Sequence, residues 1–469
     1  MKIFHRFSLS DFLLRFGESN VNIHPYYITF YGPFSISSHY DKNISVNRYK
    51  KILIICKKEN LDSCKSLSND LKNGLEGNNW RVYKGFNNIF RTNIDFQVVD
   101  YDSGNDYDPN KILSVYEDNY ESKTFPLIVL PKTARSEIDS IYYRVKANFL
   151  NPELGELSSP TQIVTTDTLK NSSIYIWSLL PMAIQLFVKM GGVPYSLAQS
   201  PVTKERTLSG KISLHIIGLG LSRDPLNNKN YVGYVSVFDS YGVWVFGDSN
   251  VLDSNNVPTS FGEIISRYIK DIASKSSVQD HIVIIHYSGK ELGRDDDEKI
   301  RKAIQEAKNS LGSRVIIFVL KINYSDLVLI DDSSEYQGKS GENSWYPPIG
   351  LTIKLKNNVY ALSTTGTFKI SNQQTKANIF RGLPTLLLVS RHIELENESN
   401  LDESNLDDLT LIRTVFAMAR LNYVSVQNPM LKEPITTRYS REIAYLTSRV
   451  FRVSEKTLPE NVKKVMWFI

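Results

Sequence analysis

Ile212-Ser-Leu-His-Ile-Ile-Gly218-Leu-Gly220-Leu-Ser-Arg-Asp224 opens the second half of this chain of 469 residues, and its reading decides the fold. The apolar run over 212–221 predicts a buried strand, and Asp224-Pro225 after it reads as a turn. Apolar segments at 231–238 and 242–247, around Ser240-Tyr241, predict a hairpin, so three antiparallel strands follow one another. A helix at 262–275, a strand at 281–286, a helix at 296–311 and a strand at 314–321 come next. A hairpin turning at Asn357-Asn358 and helices at 406–421 and 439–453 close the chain. The Gly218-x-Gly220 pair is a weak match to a dinucleotide loop, because the third glycine is missing and Arg223 stands in its place.

Upstream the rhythm changes. Short runs at 51–56 and 125–131 read as buried parallel strands, 161–166 is another strand candidate, and helical patterns at 62–75 and 136–150 lie between and after the first two. The longest helix, 173–190, is stopped by Gly191-Gly192-Val193-Pro194. Strand–helix alternation is the pattern of a doubly wound sheet, and three antiparallel strands followed by helix, strand, helix, strand is the order of an RNase H-like domain. The expected class is therefore α/β with two domains, a doubly wound Rossmann-like one and an RNase H-like one, divided near the polar stretch 201–209.

Composition narrows the function. A hydrophobic fraction of 41% with 22% charged residues is globular and excludes extensive disorder. Lysine and arginine number 55 against 50 aspartates and glutamates, too small an excess to imply a polyanion partner on bulk charge. Cys56 and Cys64 lack a nearby histidine cluster, which argues against zinc and against a disulfide framework; one buried and one exposed thiol is the expectation. The N-terminus shows no signal peptide, and the apolar stretch 174–190, interrupted by Pro181, Gln185 and Lys189, is short for a membrane span and reads as a buried helix of a soluble protein. A cytoplasmic protein without direct membrane insertion is expected, and the acidic stretch 394–408 reads as solvated surface.

One cluster carries chemistry. In Tyr142-Tyr-Arg-Val-Lys146 the first and last residues lie four apart and share a helix face, while Lys189 ends another helix just before the double glycine. With the Gln162 amide, two lysines supply fixed charge and directional donors for a terminal phosphate, and a flat ring such as Tyr142 can stack on the adjoining base. The bland readings are a lysine complementing a helix dipole and a tyrosine in the core.

Tyr142 to Lys146, Gln162 and Phe187-Val-Lys189-Met-Gly-Gly-Val-Pro194 are similar to the guide-end pocket of the MID domain of Argonaute proteins. Gly218 to Asp224 resembles the first strand of a PIWI domain, and Asn422-Tyr-Val through Pro434-Ile-Thr-Thr-Arg-Tyr-Ser-Arg-Glu-Ile-Ala-Tyr-Leu446 its closing helix. The resemblance covers essentially residues 36–469, with no N or PAZ domain ahead of it, and so points to short prokaryotic Argonautes. It implies an N-terminal segment (1–35) packed on the PIWI domain, a MID domain (36–205) binding the guide 5′ end, and a PIWI domain (206–469). Tyr142, Lys146, Gln162, Gln185 and Lys189 become the 5′-end residues, Gln185 standing where eukaryotic relatives carry another lysine. The tail Met466-Trp-Phe-Ile469 implies either a terminal carboxylate on Ile469 that helps hold Mg²⁺ or another divalent cation against the guide phosphate, or an apolar anchor.

Cleaving Argonautes resemble RNase H in holding two Mg²⁺ ions with carboxylates for in-line phosphoryl displacement. The matching positions here are Gly220, Ser288 and Arg441, none of which offers an anionic oxygen. The acids nearby are Asp224, Asp239, Asp248 and Asp295-Asp-Asp297, the last a run that stabilises a helix start. His215 and His286 read as core or rim histidines. The resemblance thus implies a catalytically inactive, guide-directed protein of prokaryotic immunity. It would bind a 5′-phosphorylated guide RNA, pair it with target DNA without cleavage, and signal through a separately encoded APAZ-containing partner and effector, with recruitment to a membrane left to that partner. Two other classes stay open at this level: an RNase H-like nuclease using unmatched acids such as Asp224 or Asp239, and an α/β nucleotide-binding scaffold.

Overall fold

The computed structural model describes residues 2–38, 42–75, 83–102, 104, 106–121, 123–133, 137, 140–202, 212–223, 231–251, 261–275, 280–288, 294–312, 314–329, 347–370, 373–377, 386–395, 406–424, 426, 428, 430–450 and 458–469. Two large sheets organise them. The first holds four parallel strands in the order Asp95–Tyr101, Lys51–Lys57, Thr124–Leu130, Gln162–Thr165. Its two central strands are buried along their whole length, which is why they read as continuous apolar runs.

Strand alternation sends successive side chains to opposite layers. Ile52, Ile54 and Cys56 join one core with the helices Leu61–Asn73 and Ser172–Lys189, while Leu53 and Ile55 join another with Pro109–Asp118 and Ile141–Phe149. The sheet is covered on both faces. Its edge strand Asp95–Tyr101 went unread in the sequence, because half its side chains face solvent and break the apolar run.

The second sheet has nine strands. Their order is Lys2–Arg6, Leu351–Lys356, Val359–Ser363, Leu386–Leu395, Arg314–Tyr324, Asp280–Tyr287, Ile212–Arg223, Tyr231–Asp239, Trp244–Val251. Ile212–Arg223, Asp280–Tyr287 and Arg314–Tyr324 run parallel at the centre, and antiparallel strands flank them. The helices Phe261–Lys275 and Arg294–Leu311 cover one face through Ile217, Leu219, Val283 and Ile285. Asp408–Ala419 and the closing helix Ile435–Val450 cover the other, on the side of Ile216, Ile284 and Phe318.

Several expectations shift. The closing helix begins at Ile435, four residues before the expected start, and residues 451–453 lie outside the described ones. The helix expected at 136–150 begins at Ile141, because Ser140 is in an extended conformation. Cys64 is buried as completely as Cys56, and the two thiols are hydrogen-bonded, so the expected exposed cysteine is corrected. Helix Ser172–Lys189 is long and apolar enough to cross a membrane by composition, but half of it is buried. Its first half is not: Ile174, Ile176 and Trp177 are exposed, so only the second half is the buried core helix expected. Most of the expected boundary 201–209, the turn residues Asp224 and Pro225 and most of the acidic stretch 394–408 lie outside the described residues.

The N-terminal segment spans both sheets' surroundings. Lys2–Arg6 adds an edge strand to the nine-stranded sheet, and Leu14–Arg15 pairs with Ser196–Leu197 beyond the longest helix. Arg420 anchors the segment from inside. Its buried guanidinium donates to the carbonyl oxygens of Phe12 and Ile23, and burial lowers it to about 9. Phe7 stacks on Phe416 in the same core.

Candidate functional site

Lys146 lies one turn beyond Tyr142 on the helix Ile141–Phe149, and its Nζ sits 5.4 Å over the Tyr142 ring. The same Nζ donates to the Thr161 carbonyl at 3.4 Å. Lys189, the last residue of its helix, donates to that carbonyl at 3.0 Å and to Gln162 Oε1 at 2.7 Å. Gln162 Nε2 in turn donates to Gln185 Oε1 at 3.2 Å, and Gln185 Nε2 to the Val424 carbonyl at 3.5 Å. The fold therefore brings Tyr142, Lys146, Gln162, Gln185 and Lys189 together, from two helices and one strand.

Both lysines are 1% exposed, and among the described residues no carboxylate partners either ammonium group. Buried charge without a counter-ion is costly. Burial pushes Lys146 down to about 8, and burial together with the Lys146 charge pushes Lys189 well below its ordinary value. Beside them the Thr161 hydroxyl is buried without a hydrogen-bond partner among the described residues. Two cations and an unpaired hydroxyl at one carbonyl make a place that an anion would relieve.

The double-glycine turn fixes where Lys189 ends. Gly191 takes a φ of +95°, and a Cβ there would lie 2.6 Å from Ile44 Cγ2, so any side chain would open the turn. The backbone then pairs Val193 with Ser35. Arg449 was not foreseen. It reaches the same helix from the closing helix, its guanidinium 3.5 Å from the Tyr445 ring and 5.9 Å from that of Tyr143. No local pattern announces it, because Tyr143 and Arg449 are remote in sequence and meet only where two helices cross.

The side chains of the tail pack in the apolar core. Phe468 packs on Trp244 and Tyr439 with ring centroids 5.7 and 5.3 Å apart, and Met466 and Trp467 are buried. A small cavity separates this tail from the double-glycine turn. The polar atoms around Lys146 and Lys189 do not suit a divalent cation: two are amino groups of lysine, and the Thr161 carbonyl and Gln162 Oε1 already accept from them. Ile469 is partly buried against the same core.

The second centre lies at the carboxyl ends of the parallel strands. Gly220 rests against the closing helix, where a Cβ would come within 2.5 Å of the Ser440 backbone and 2.8 Å of the Arg441 nitrogen. Gly218 is tighter still, 2.0 Å from the Thr436 carbonyl oxygen. Tyr287, the last residue of its strand, pairs with Leu219, and Ser288 follows it. Arg441 is held by Glu433, which accepts from Nη1 at 3.1 Å and also from Nη2. Gly220 and Arg441 adjoin, and they present a hydrogen and a guanidinium.

Two of the neighbouring acids are engaged elsewhere. Asp239 accepts from the backbone nitrogens of Tyr241 and Val243 at 2.8 Å each, closing the hairpin. Asp297 accepts from Arg301 Nε at 3.2 Å, and Asp295 is exposed at a helix start. Asp224 lies outside the described residues. His286 is a core bridge, its Nδ1 2.8 Å from Thr436 Oγ1 and its Nε2 3.1 Å from Thr414 Oγ1, and burial lowers it to about 3. His215 pairs with Ser213 at 3.0 Å and is lowered to about 3 by burial and by His281. Among the described residues no group of three or more His, Cys, Asp or Glu side chains could hold a metal ion.

No curated protein matches the chain. The model of the Piwi domain matches residues 127–452, more than two thirds of the sequence, a span that includes both the lysine pocket and the Gly220 centre. With that match, and a central sheet whose order and parallel core are those of an RNase H-like domain, this chain belongs to the Piwi-domain family.

Proposed function

We propose that this chain is a short Argonaute-like protein that binds the 5′-phosphorylated end of a guide, in the chemistry of an RNA, and pairs it with a complementary DNA strand without cutting. The observation that carries the reading is the shared Thr161 carbonyl, at which the buried ammonium groups of Lys146 and Lys189 meet with no carboxylate among the described residues. A terminal phosphate dianion matches that deficit in charge and in donor geometry. Tyr142, half-buried over Lys146, is suited to stack on the first base. Sequence discrimination then belongs to Watson–Crick pairing, and the protein contacts backbone and end.

Non-cleavage is part of the proposal. Gly220 is pressed on the closing helix and Arg441 puts a cation where the resemblance places a metal ligand, so the in-line chemistry of two bound divalent ions has no acid to build on at these positions. We further assign a cytoplasmic role in defence against viruses or plasmids, exercised through an APAZ-containing partner and its effector.

The test is to extract the nucleic acid that co-purifies with the chain, label its 5′ ends with and without phosphatase, and digest it with RNase and DNase. Short RNAs that accept label only after phosphatase are expected. Absence of oligonucleotide, or ends that are uniformly hydroxyl, would remove the pocket assignment, and Mg²⁺-dependent cleavage of a complementary target would remove the non-cleaving one.

A further inference from the structure

Arg441 is 46% exposed while the Glu433 side chain that holds it is 9% exposed. A nearly buried acid thus fixes an outward-facing base. Glu433 is itself pinned by Thr437 Oγ1, which donates at 3.3 Å from the first turn of the closing helix. Of the five N–H donors of a guanidinium, two are used on Glu433, leaving the rest of the planar fork for an acceptor outside.

The surroundings share one face. His286 contacts Thr436 of the closing helix, and its strand ends one residue later at Tyr287. Phe318 and Leu320 belong to the core on that side, and alternation carries Ile322 and Tyr324 with them. Tyr324 is 47% exposed and lies within reach of Glu433, Arg438 and Arg441. Arg438 and Arg441 stand here with Glu433 and Glu442, so what the spot offers is one guanidinium held in a fixed direction rather than an excess of positive charge. The Tyr324 hydroxyl is hydrogen-bonded to Glu433 and so helps to fix the acid that holds Arg441. All of it sits at the carboxyl ends of three parallel strands, where open α/β sheets place their ligands.

We propose that Arg441 binds a single internal phosphodiester of the paired target strand, as a fixed organic cation in the place of a metal pair, with Glu433 as its positioning residue. This rests on the non-cleaving, guide-binding reading above. A guanidinium neutralises and orients a phosphodiester but neither activates water nor stabilises a leaving oxygen as a metal does, so no bond forms or breaks. The contact is a register clamp. It holds the duplex centre against the sheet once pairing has extended that far, and it makes binding of a long match tighter than binding of a short one.

The test uses the guide-loaded full chain and a set of DNA targets, each carrying one uncharged methylphosphonate linkage at a different position. For the wild type, neutralising one linkage or two adjacent ones near the middle of the duplex is expected to weaken binding about tenfold, with little effect elsewhere. Arg441→Ala should weaken the unmodified target by a similar factor, become blind to the position of the neutral linkage, and lower the slope of log affinity on log salt by about one. Glu433→Gln should give a shallower version of the same loss. Guide loading of each variant reports its folding. A wild type that tolerates the neutral linkage everywhere while still binding target would overturn the clamp and leave the guide-binding reading intact. A wild type that loads no guide would overturn both.

Discussion

The Nζ atoms of Lys146 and Lys189 donate to the same acceptor, the carbonyl oxygen of Thr161, at 3.4 and 3.0 Å. Two ammonium groups seldom share one neutral oxygen inside a protein, because their mutual repulsion in a medium of low dielectric is not offset by a single carbonyl. The arrangement is coherent when a third, anionic participant completes it.

Removing those charges should remove the preference for a phosphorylated end. Lys146→Ala with Lys189→Ala is expected to cost about 3 kcal/mol or more of discrimination between 5′-phosphate and 5′-hydroxyl guides, since charge-assisted hydrogen bonds contribute about 1.5–3 kcal/mol each. Competition binding of the two guide forms measures it. Equal loss for both forms would mean that the lysines only support the fold.

The unliganded protein should gain from the same kind of change. Lys189→Met keeps the volume of the stem and deletes a buried ammonium group, so guide-free stability is expected to rise by about 1–3 kcal/mol while phosphate preference falls. Denaturant unfolding of guide-free protein decides it, and a loss of stability would show that the charge is better satisfied than its neighbours indicate.

Proton linkage follows from the lowered lysine. With Lys146 at about 8, against an ordinary 10.5, the unfolded chain holds more protons than the folded one between those values, so guide-free stability rises with pH across that window. A bound phosphate restores the proton. The preference for a 5′-phosphate should therefore weaken above about pH 8, and also weaken below about 6, where the phosphate monoester takes its own second proton. Calorimetry in buffers of different ionisation enthalpy should register proton uptake at pH 8.5.

Restoring one acid should not restore cleavage. Gly220→Asp drives a Cβ to 2.5 Å from the Ser440 backbone, so the closing helix must move. Destabilisation of about 2–4 kcal/mol and no Mg²⁺-dependent cutting are expected, read by unfolding and by a target-cleavage assay. A folded variant that cuts would overturn the non-cleaving assignment.

His286 supplies an acid-side prediction. It is lowered to about 3 from an ordinary 6.5, so it is neutral in the folded chain and protonated in the unfolded one between those values, and its contribution to stability is lost as pH falls through that window. Replacing it with Gln should flatten the loss of thermal stability between pH 6.5 and 4. An unchanged slope would place the titration elsewhere.

The linear sequence by itself determined the periodic elements whose side chains are buried on both faces. Ile52–Cys56, Phe125–Leu130 and Ile216–Gly220 are continuous apolar runs because both layers exclude water from them, and Ser172–Lys189 stops where Gly191 must take a positive φ. The types and spacing of Tyr142, Lys146 and Lys189 are local facts as well. Only the tertiary structure decided that Lys146 and Lys189 share one carbonyl, that Arg449 comes to Tyr143 from the closing helix, and that Glu433 aims Arg441 outward. It also decided the place of Lys2–Arg6, a strand with no apolar period that earns its position by pairing its backbone with Leu351–Lys356. The division has one cause. Burial periodicity is written in neighbours along the chain, whereas charge convergence depends on which distant elements cross, and no pairwise spacing in the sequence encodes that crossing.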